Sequence, residues 1–289
     1  MSAFSIRFWG TRGSIPAPGP QTQRYGGNTA CVELRRGEAL FILDAGTGIR
    51  ELGDKLMRDF AGRKLQGHIF VTHTHWDHIQ GFPFFVPAYV RGSRFRLHGA
   101  RGALKSFEAR FRGLMDPDYF PVQLADMAAT LEFSDVTGEA FECEGVQIET
   151  IPTNHPGVDV AYKFRAEGRT AVYLTDHETY EPMHGPSEFA RKQDGLIEDF
   201  CRGADVLICD SQYTDEEYKA KRTWGHSRYR DSVGLGLRAQ VKRLVLFHHD
   251  PSHSDEQLDA VARDAEAIVR RSGLSMECLV AEEGLEIGL

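Results

Sequence analysis

Short apolar runs that end on a polar, metal-capable side chain recur along the chain. Segment 40–43 ends at Asp44, 69–72 at His73, 206–209 at Asp210 and 244–247 at His248, while 148–151 leads to His155 and 171–174 to Asp176. Runs this short, rich in β-branched and aromatic residues, read as buried strands. The same signal predicts strands at 5–9, 276–280 and 285–287. Apolar positions spaced by three or four predict helices over 49–60, 102–114, 231–240 and 255–270, the last following Ser254 as a cap. Polar groups at the ends of neighbouring strands can converge on one rim of a sheet, where α/β proteins build their sites. No internal repeat or linker-like stretch divides the chain, so residues 1–289 are expected to form a single domain.

Composition narrows the class. Hydrophobic residues make up 41% and charged residues 26%, which excludes disorder over most of the length. Lys plus Arg number 34 against 42 Asp plus Glu, a net charge of −8. A dedicated DNA-coating protein would be basic, although a local basic patch is still open. The most apolar run, 81–90, carries Pro83 and Pro87 and falls well short of the roughly 20 residues of a membrane span. The first residues lack a basic stretch followed by an apolar core, so no signal peptide is expected. Five scattered cysteines with no Cys-x-x-Cys pair suggest reduced thiols, and a cytoplasmic protein is expected.

Twelve histidines are unevenly placed, and the densest group carries the chemistry. His73-Thr74-His75-Trp76-Asp77-His78 puts four potential ligands within six residues, directly after a predicted strand. His73 and His75 share a face of an extended segment. The chain must then turn for Asp77 and His78 to enter the same cavity. Imidazole nitrogen with carboxylate oxygen suits zinc, and less selectively iron or manganese.

This run resembles the His-x-His-x-Asp-His hallmark of the metallo-β-lactamase superfamily. Asp44 in Asp44-Ala45-Gly46-Thr47-Gly48 resembles the family's first motif, His155 the third, Asp176 the fourth and His248 the fifth, in order. The resemblance implies an α/β fold, the four-layer αββα metallo-β-lactamase sandwich, and a site for two divalent metal ions. His73, His75 and His155 would hold one ion, and Asp77, His78 and His248 the other. Asp176 would bridge them, and Asp44 would accept a hydrogen bond from a ligand histidine. Between the adjacent His248 and His249, strand alternation favours His248, leaving His249 and Asp250 beside the site or at its rim. His253 is expected at the surface.

Within the superfamily, Trp224-Gly225-His226-Ser227 resembles the Gly-His-Ser segment of the tRNase Z-like phosphodiesterase branch. There His226 would assist a leaving oxygen; the plainer reading is a helix-start histidine with Ser227 as cap. The glycine-rich segment 9–29 resembles cyclic-nucleotide phosphodiesterase-like proteins. Arg12, Asn28 and Thr29 could meet phosphate there, or the segment could be an ordinary turn. Only 21 positions separate His155 from Asp176, too few for the tRNA-gripping arm that bacterial tRNase Z carries in this interval. Asp210 reads as a strand end or a supporting residue. Phe82, Phe84 and Phe85 read as core rather than as a lip for a base. The arginines of 91–112 read as a solvated face rather than an RNA groove.

The expected function is therefore phosphodiesterase action on a small anionic substrate, with a 3′,5′-cyclic nucleotide favoured. A water activated by the metals would attack phosphorus, with Asp77 and His226 as catalytic residues. RNA processing is the alternative, followed by thioester or lactam hydrolysis. By resemblance to the branch, a homodimer is expected.

Overall fold

A computed structural model describes residues 4–60, 64–136, 138 and 140–289. The strands in chain order are β1 (Ser5–Gly10), β2 (Cys31–Arg36), β3 (Ala39–Leu43), β4 (Gln66–Val71), β5 (Arg94–Gly99), β6 (Thr130–Asp135) and β7 (Ala140–Cys143). They continue as β8 (Val146–Pro152), β9 (Val160–Ala166), β10 (Arg169–Leu174), β11 (Val206–Asp210), β12 (Arg243–Phe247), β13 (Glu277–Val280) and β14 (Glu286–Gly288). The helices are α1 (Gly48–Phe60), α2 (Trp76–Ile79), α3 (Phe107–Arg112), α4 (Tyr180–His184), α5 (Glu188–Cys201), α6 (Asp215–Lys221), α7 (Tyr229–Arg238) and α8 (Asp255–Ser272).

The strands form two seven-stranded sheets, ordered β14-β1-β2-β3-β4-β5-β6 and β13-β12-β11-β10-β9-β8-β7. Each is half parallel. In the first sheet β3, β4, β5 and β6 run parallel, and in the second β10, β11, β12 and β13 do. Of these, β3, β4, β10, β11 and β12 are covered on both faces, which is why their sequences read as unbroken apolar runs. Between the sheets, Phe8, Phe41 and Phe70 meet Tyr162, Phe164, Ile208 and Phe247. The Phe70 and Phe164 rings lie 5.2 Å apart, edge to face. Outside the first sheet, Ile42, Ile69 and Val71 pack on Ile49, Leu52 and Leu56 of α1. Outside the second, Leu207, Leu244 and Leu246 pack on Ile197 of α5, Val233 of α7 and Val261 of α8. The result is the four-layer αββα sandwich.

The helix expected over 102–114 is shorter than its spacing implies. It begins only at Phe107, because Ser106 is extended and its hydroxyl accepts a hydrogen bond from Ala109 N. A hydroxyl placed to receive that amide ends the chain's freedom to start the helix earlier. Leu104, expected on the apolar face, lies outside the helix and is 97% exposed. Four arginines of this region meet acids, and Arg110 donates to the Ala100 carbonyl. Arg94 and Arg96 pair with Glu132, Arg101 with Asp135 and Arg112 with Glu108.

Phe70 is fully buried in the inter-sheet core. Phe70→Ala should destabilise the protein by about 3–5 kcal/mol, whereas Leu104→Ala should stay within about 0.5 kcal/mol of wild type, both measured by denaturant unfolding.

Candidate active site

The chain brings its polar strand ends to one rim. Asp44 follows β3 directly, His73 comes two residues after β4, Asp176 two after β10, Asp210 closes β11, and His248 follows β12. All five sit at the C-terminal ends of parallel strands, the edge at which α/β sheets open a crevice. Three of these residues leave the strand in a left-handed conformation, with φ of 58° at Asp44, 50° at Asp176 and 63° at His248. Asp and His tolerate that region better than most residues. The turn swings each side chain out of the strand's alternation and into the seam between the sheets. Backbone strain of this kind persists only where surrounding contacts hold it. Helix α2 supplies the turn that the cluster requires, bringing Asp77 and His78 inward together.

The side chains that meet there fall into groups around one carboxylate. His75 Nδ1 and His155 Nε2 are 3.0 Å apart. Asp176 Oδ2 lies 3.6 Å from Nε2 of His73 and 3.6 Å from Nε2 of His155. Its Oδ1 lies 3.2 Å from Nε2 of His78 and 3.1 Å from Nε2 of His248. Asp77 Oδ2 is 3.2 Å from the same His248 nitrogen. His73, His75 and His155 can together hold a metal ion, and so can Asp77, His78, Asp176 and His248.

The other nitrogen of four of these histidines is occupied. Asp44 Oδ2 accepts from His78 Nδ1 at 2.8 Å, and Asp44 also receives Thr72 N and the Tyr173 hydroxyl. Gln212 Oε1 accepts from His248 Nδ1 at 2.9 Å, and the Gly225 carbonyl from His155 Nδ1 at 2.9 Å. The Thr72 hydroxyl donates to Asp44, so it can accept from His73 Nδ1 at 3.1 Å. Each imidazole therefore turns an Nε2 lone pair inward, the arrangement in which outer acceptors fix ligand histidines. The His73 Nε2 is buried without a hydrogen-bond partner. An orphaned nitrogen facing carboxylate oxygen is what a divalent cation would satisfy, and the mixed N and O donor set suits one. Burial, reinforced by His78, holds His73 well below the usual histidine pKa, so it is neutral as a ligand must be.

Beside this cluster, His226 Nδ1 donates to Asp210 Oδ2 at 2.8 Å. Asp210 also accepts from the amides of His177 and Gln212, so its oxygens are already engaged. Burial opposes charge on His226, but Asp210, followed by Asp176 and Asp77, raises its pKa to about 9. Glu178 is buried and receives Thr223 N, Gly225 N and the Tyr218 hydroxyl, and it thereby shapes the loop that presents His226. An open cleft of about 450 Å³ leads to the cluster, lined by Ser14, Thr74, His75, Trp76, Asp77, Asp176 and His226.

Several residues singled out in the sequence lie elsewhere. Arg12 is wholly buried, and its guanidinium donates to the carbonyls of Gly26, Asp250 and His253. It pins the N-terminal loop and does not line the cleft. Asn28 donates from both its backbone and side chain to Glu283, and Thr29 and Thr47 exchange hydroxyl–amide hydrogen bonds. None of the three lines the cleft, because Arg12 and Thr29 are fully buried and Asn28 is committed to Glu283. His249 points away from the cluster to the Ala281 carbonyl at 2.9 Å. His253, expected at the surface, is buried against Glu217 at 2.8 Å. Of the aromatic stretch, Phe82 and Phe85 are buried as expected, but Phe84 is 55% exposed.

Other supporting residues escaped the sequence reading. Gln212 sits in a segment whose role spacing did not reveal, and Asp159 lies 3.6 Å from His73 Nδ1. In the N-terminal loop, Ser14 N donates to Asp77 Oδ2 at 2.7 Å. A Cβ at Gly13 would stand 2.3 Å from the His248 ring, so glycine here serves the imidazole rather than a ligand.

A family model described as a beta-lactamase superfamily domain matches residues 40–249. This chain belongs to the metallo-β-lactamase superfamily. Among curated relatives, ribonuclease Z of Bradyrhizobium diazoefficiens is 24% identical over 300 residues, covering 90% of this chain and 94% of the relative. The solved metallo-β-lactamase fold protein YhfI of Bacillus subtilis superposes with a TM-score of 0.70 at 16% identity, over 99% of each chain. Unliganded yeast PDE1 superposes with a TM-score of 0.68 at 15% identity, over 100% of each.

Two substitutions separate the loop's two duties. Gly13→Ala should displace the His248 ring and lower metal content, read by elemental analysis, while the fold is retained by circular dichroism. Arg12→Ala should instead reduce unfolding stability by several kcal/mol, because three buried carbonyls lose a charged donor, at about 1.5–3 kcal/mol each before relaxation.

Proposed function

We propose that this metal-dependent hydrolase is a dinuclear phosphodiesterase acting on a small anionic phosphodiester, with a 3′,5′-cyclic nucleotide as the favoured substrate. The observation that carries the reading is the placement of Asp176, whose two oxygens face separate sets of ligand candidates. One set is His73, His75 and His155; the other is Asp77, His78 and His248. Zinc is the first choice of metal, with manganese or iron(II) next.

Two divalent ions bound there would supply Lewis acidity toward phosphoryl oxygens and a nucleophilic water at neutral pH. The chain's own groups would do the rest. Asp77, steadied by Ser14 N, would orient the attacking water through its carboxylate as well as hold metal. His226 commits Nδ1 to Asp210, so the proton on Nε2 is the one available to a leaving oxygen. The pairing with Asp210 sets the ring's orientation and favours its protonated form.

The size of the substrate is argued from what fills the flanking intervals. Between His155 and Asp176 the chain forms the β9–β10 hairpin, and no arm extends from it. Pairing of Arg94, Arg96, Arg101 and Arg112 with acids lowers the net positive charge that this face offers a long polyanion, which supports a small substrate. The similarity to ribonuclease Z over 90% of this chain favours RNA processing as the second reading. Thioester or lactam hydrolysis would leave the His226–Asp210 pair without a task. On the same reading, residues 1–289 act as one hydrolase domain, a homodimer is the expected assembly, and five free cysteines fit a cytoplasmic setting.

His226→Ala should reduce turnover of a chromogenic diester by about 10²–10⁴-fold, with two metals per chain still found by elemental analysis. Unchanged turnover would remove His226 from the mechanism. A panel of 3′,5′- and 2′,3′-cyclic nucleotides, RNA, a thioester and a lactam decides the substrate class. Preference for RNA with a steep salt dependence would replace the small-substrate reading.

A further inference from the structure

We infer that Trp76 is the specificity-determining residue of this site, a stacking platform for the nucleobase of the phosphodiester substrate. The inference rests on the phosphodiesterase reading and names the part of the substrate that lies beyond the phosphorus.

Trp76 sits between His75 and Asp77, so both chain neighbours are ligand candidates, yet its own side chain is 78% exposed. Exposure alone is ordinary for a large apolar residue; Leu104 and Tyr119 are more exposed still. The position is what distinguishes Trp76. It lines the cleft that opens on Asp77, Asp176 and His226, and it is the large apolar ring in a lining otherwise made of Ser14, Thr74, His75, Asp77, Asp176 and His226. A phosphate at the histidine cluster would carry its organic substituents along this wall.

The platform is held firmly although the ring is free. Trp76 opens α2, and its carbonyl accepts Gln80 N at 2.7 Å. The same turn is tied down by Ala45 N donating to the His78 carbonyl at 2.7 Å and His78 N to the His75 carbonyl at 3.1 Å. With the backbone fixed, the indole has only its two side-chain torsions to lose when a flat ring stacks on it. Every nucleobase offers such a face, so stacking would select nucleotides over base-free diesters while discriminating weakly among bases.

The test uses the metal-loaded protein and two probes, adenosine 3′,5′-cyclic phosphate and base-free ribose 3′,5′-cyclic phosphate. In Trp76→Ala the ratio of kcat/KM for the nucleotide to that for the base-free probe should fall roughly 10- to 100-fold, chiefly through KM, as expected for one lost stack. Trp76→Phe should recover most of the ratio. A second readout needs no turnover. In a Trp9→Phe, Trp224→Phe background, the nucleotide should quench Trp76 emission and the base-free probe should not. An unchanged ratio, equal quenching by both probes, or emission that shifts with protein concentration alone would overturn the inference, the last by assigning the ring to a contact between copies. If wild type cleaves neither probe, the phosphodiesterase reading fails, and the quenching experiment still decides whether Trp76 meets a base.

Discussion

The rest of the site depends on one carboxylate, Asp176, buried where the two sheets meet. It belongs to the second sheet, and His73 and His78 reach it from the first. Imidazoles and carboxylates in a low-dielectric seam are costly unless each polar atom is satisfied. Much of that cost is offset by outer acceptors such as Asp44, Gln212 and the Gly225 carbonyl. What they leave is a set of lone pairs directed at common points, with His73 Nε2 unpartnered. On the proposed reading a bound cation would satisfy those lone pairs, so metal binding and the local fold support each other.

The backbone bears the strain of this arrangement. Asp44, Asp176 and His248 all take left-handed conformations at strand ends. Gly13 lies so close to His248, and Gly225 to His155, that a Cβ would stand 2.3 Å from the ring in each case. These are close approaches between the chain and its own histidines. A glycine-rich loop near an anion-binding cleft suggests contact with the anion. Here the glycines instead make room for the imidazoles, and Arg12 secures the loop from behind by holding three carbonyls.

The central strands were legible because they are buried on both faces, so β3, β4, β10, β11 and β12 appear as continuous apolar runs. Strands β2 and β9, whose largely buried runs are interrupted by Glu33 and Lys163, were not read, and neither were β5, β6 and β7. The last three lie toward the sheet edges, and their half-exposed faces mix arginine, glutamate and serine with apolar residues. Helices α5 and α6 were missed for a related reason. Only Ala190, Ile197 and Cys201 of α5 and Tyr218 of α6 are buried, which leaves little periodicity to detect. The capping box of Thr214 and Glu217 was the available sign for α6.

Residue type and local spacing marked the candidate ligands, and the resemblance to the metallo-β-lactamase motifs assigned them. Histidine and aspartate are the side chains that bind such ions, and a cluster within six residues followed by single residues after apolar runs is legible without coordinates. Only the tertiary structure decided which polar neighbours serve them. Asp159, Gln212, Glu178 and Ser14 come from four separate stretches of chain, and no local period links them to the histidines they support. It also decided the direction of each side chain at a strand end. His248 and His249 are adjacent in sequence, and one left-handed residue sends the first into the seam and leaves the second to Ala281. The fate of Arg12 was settled in the same way, because a charge's partners depend on what folds against it rather than on its neighbours along the chain.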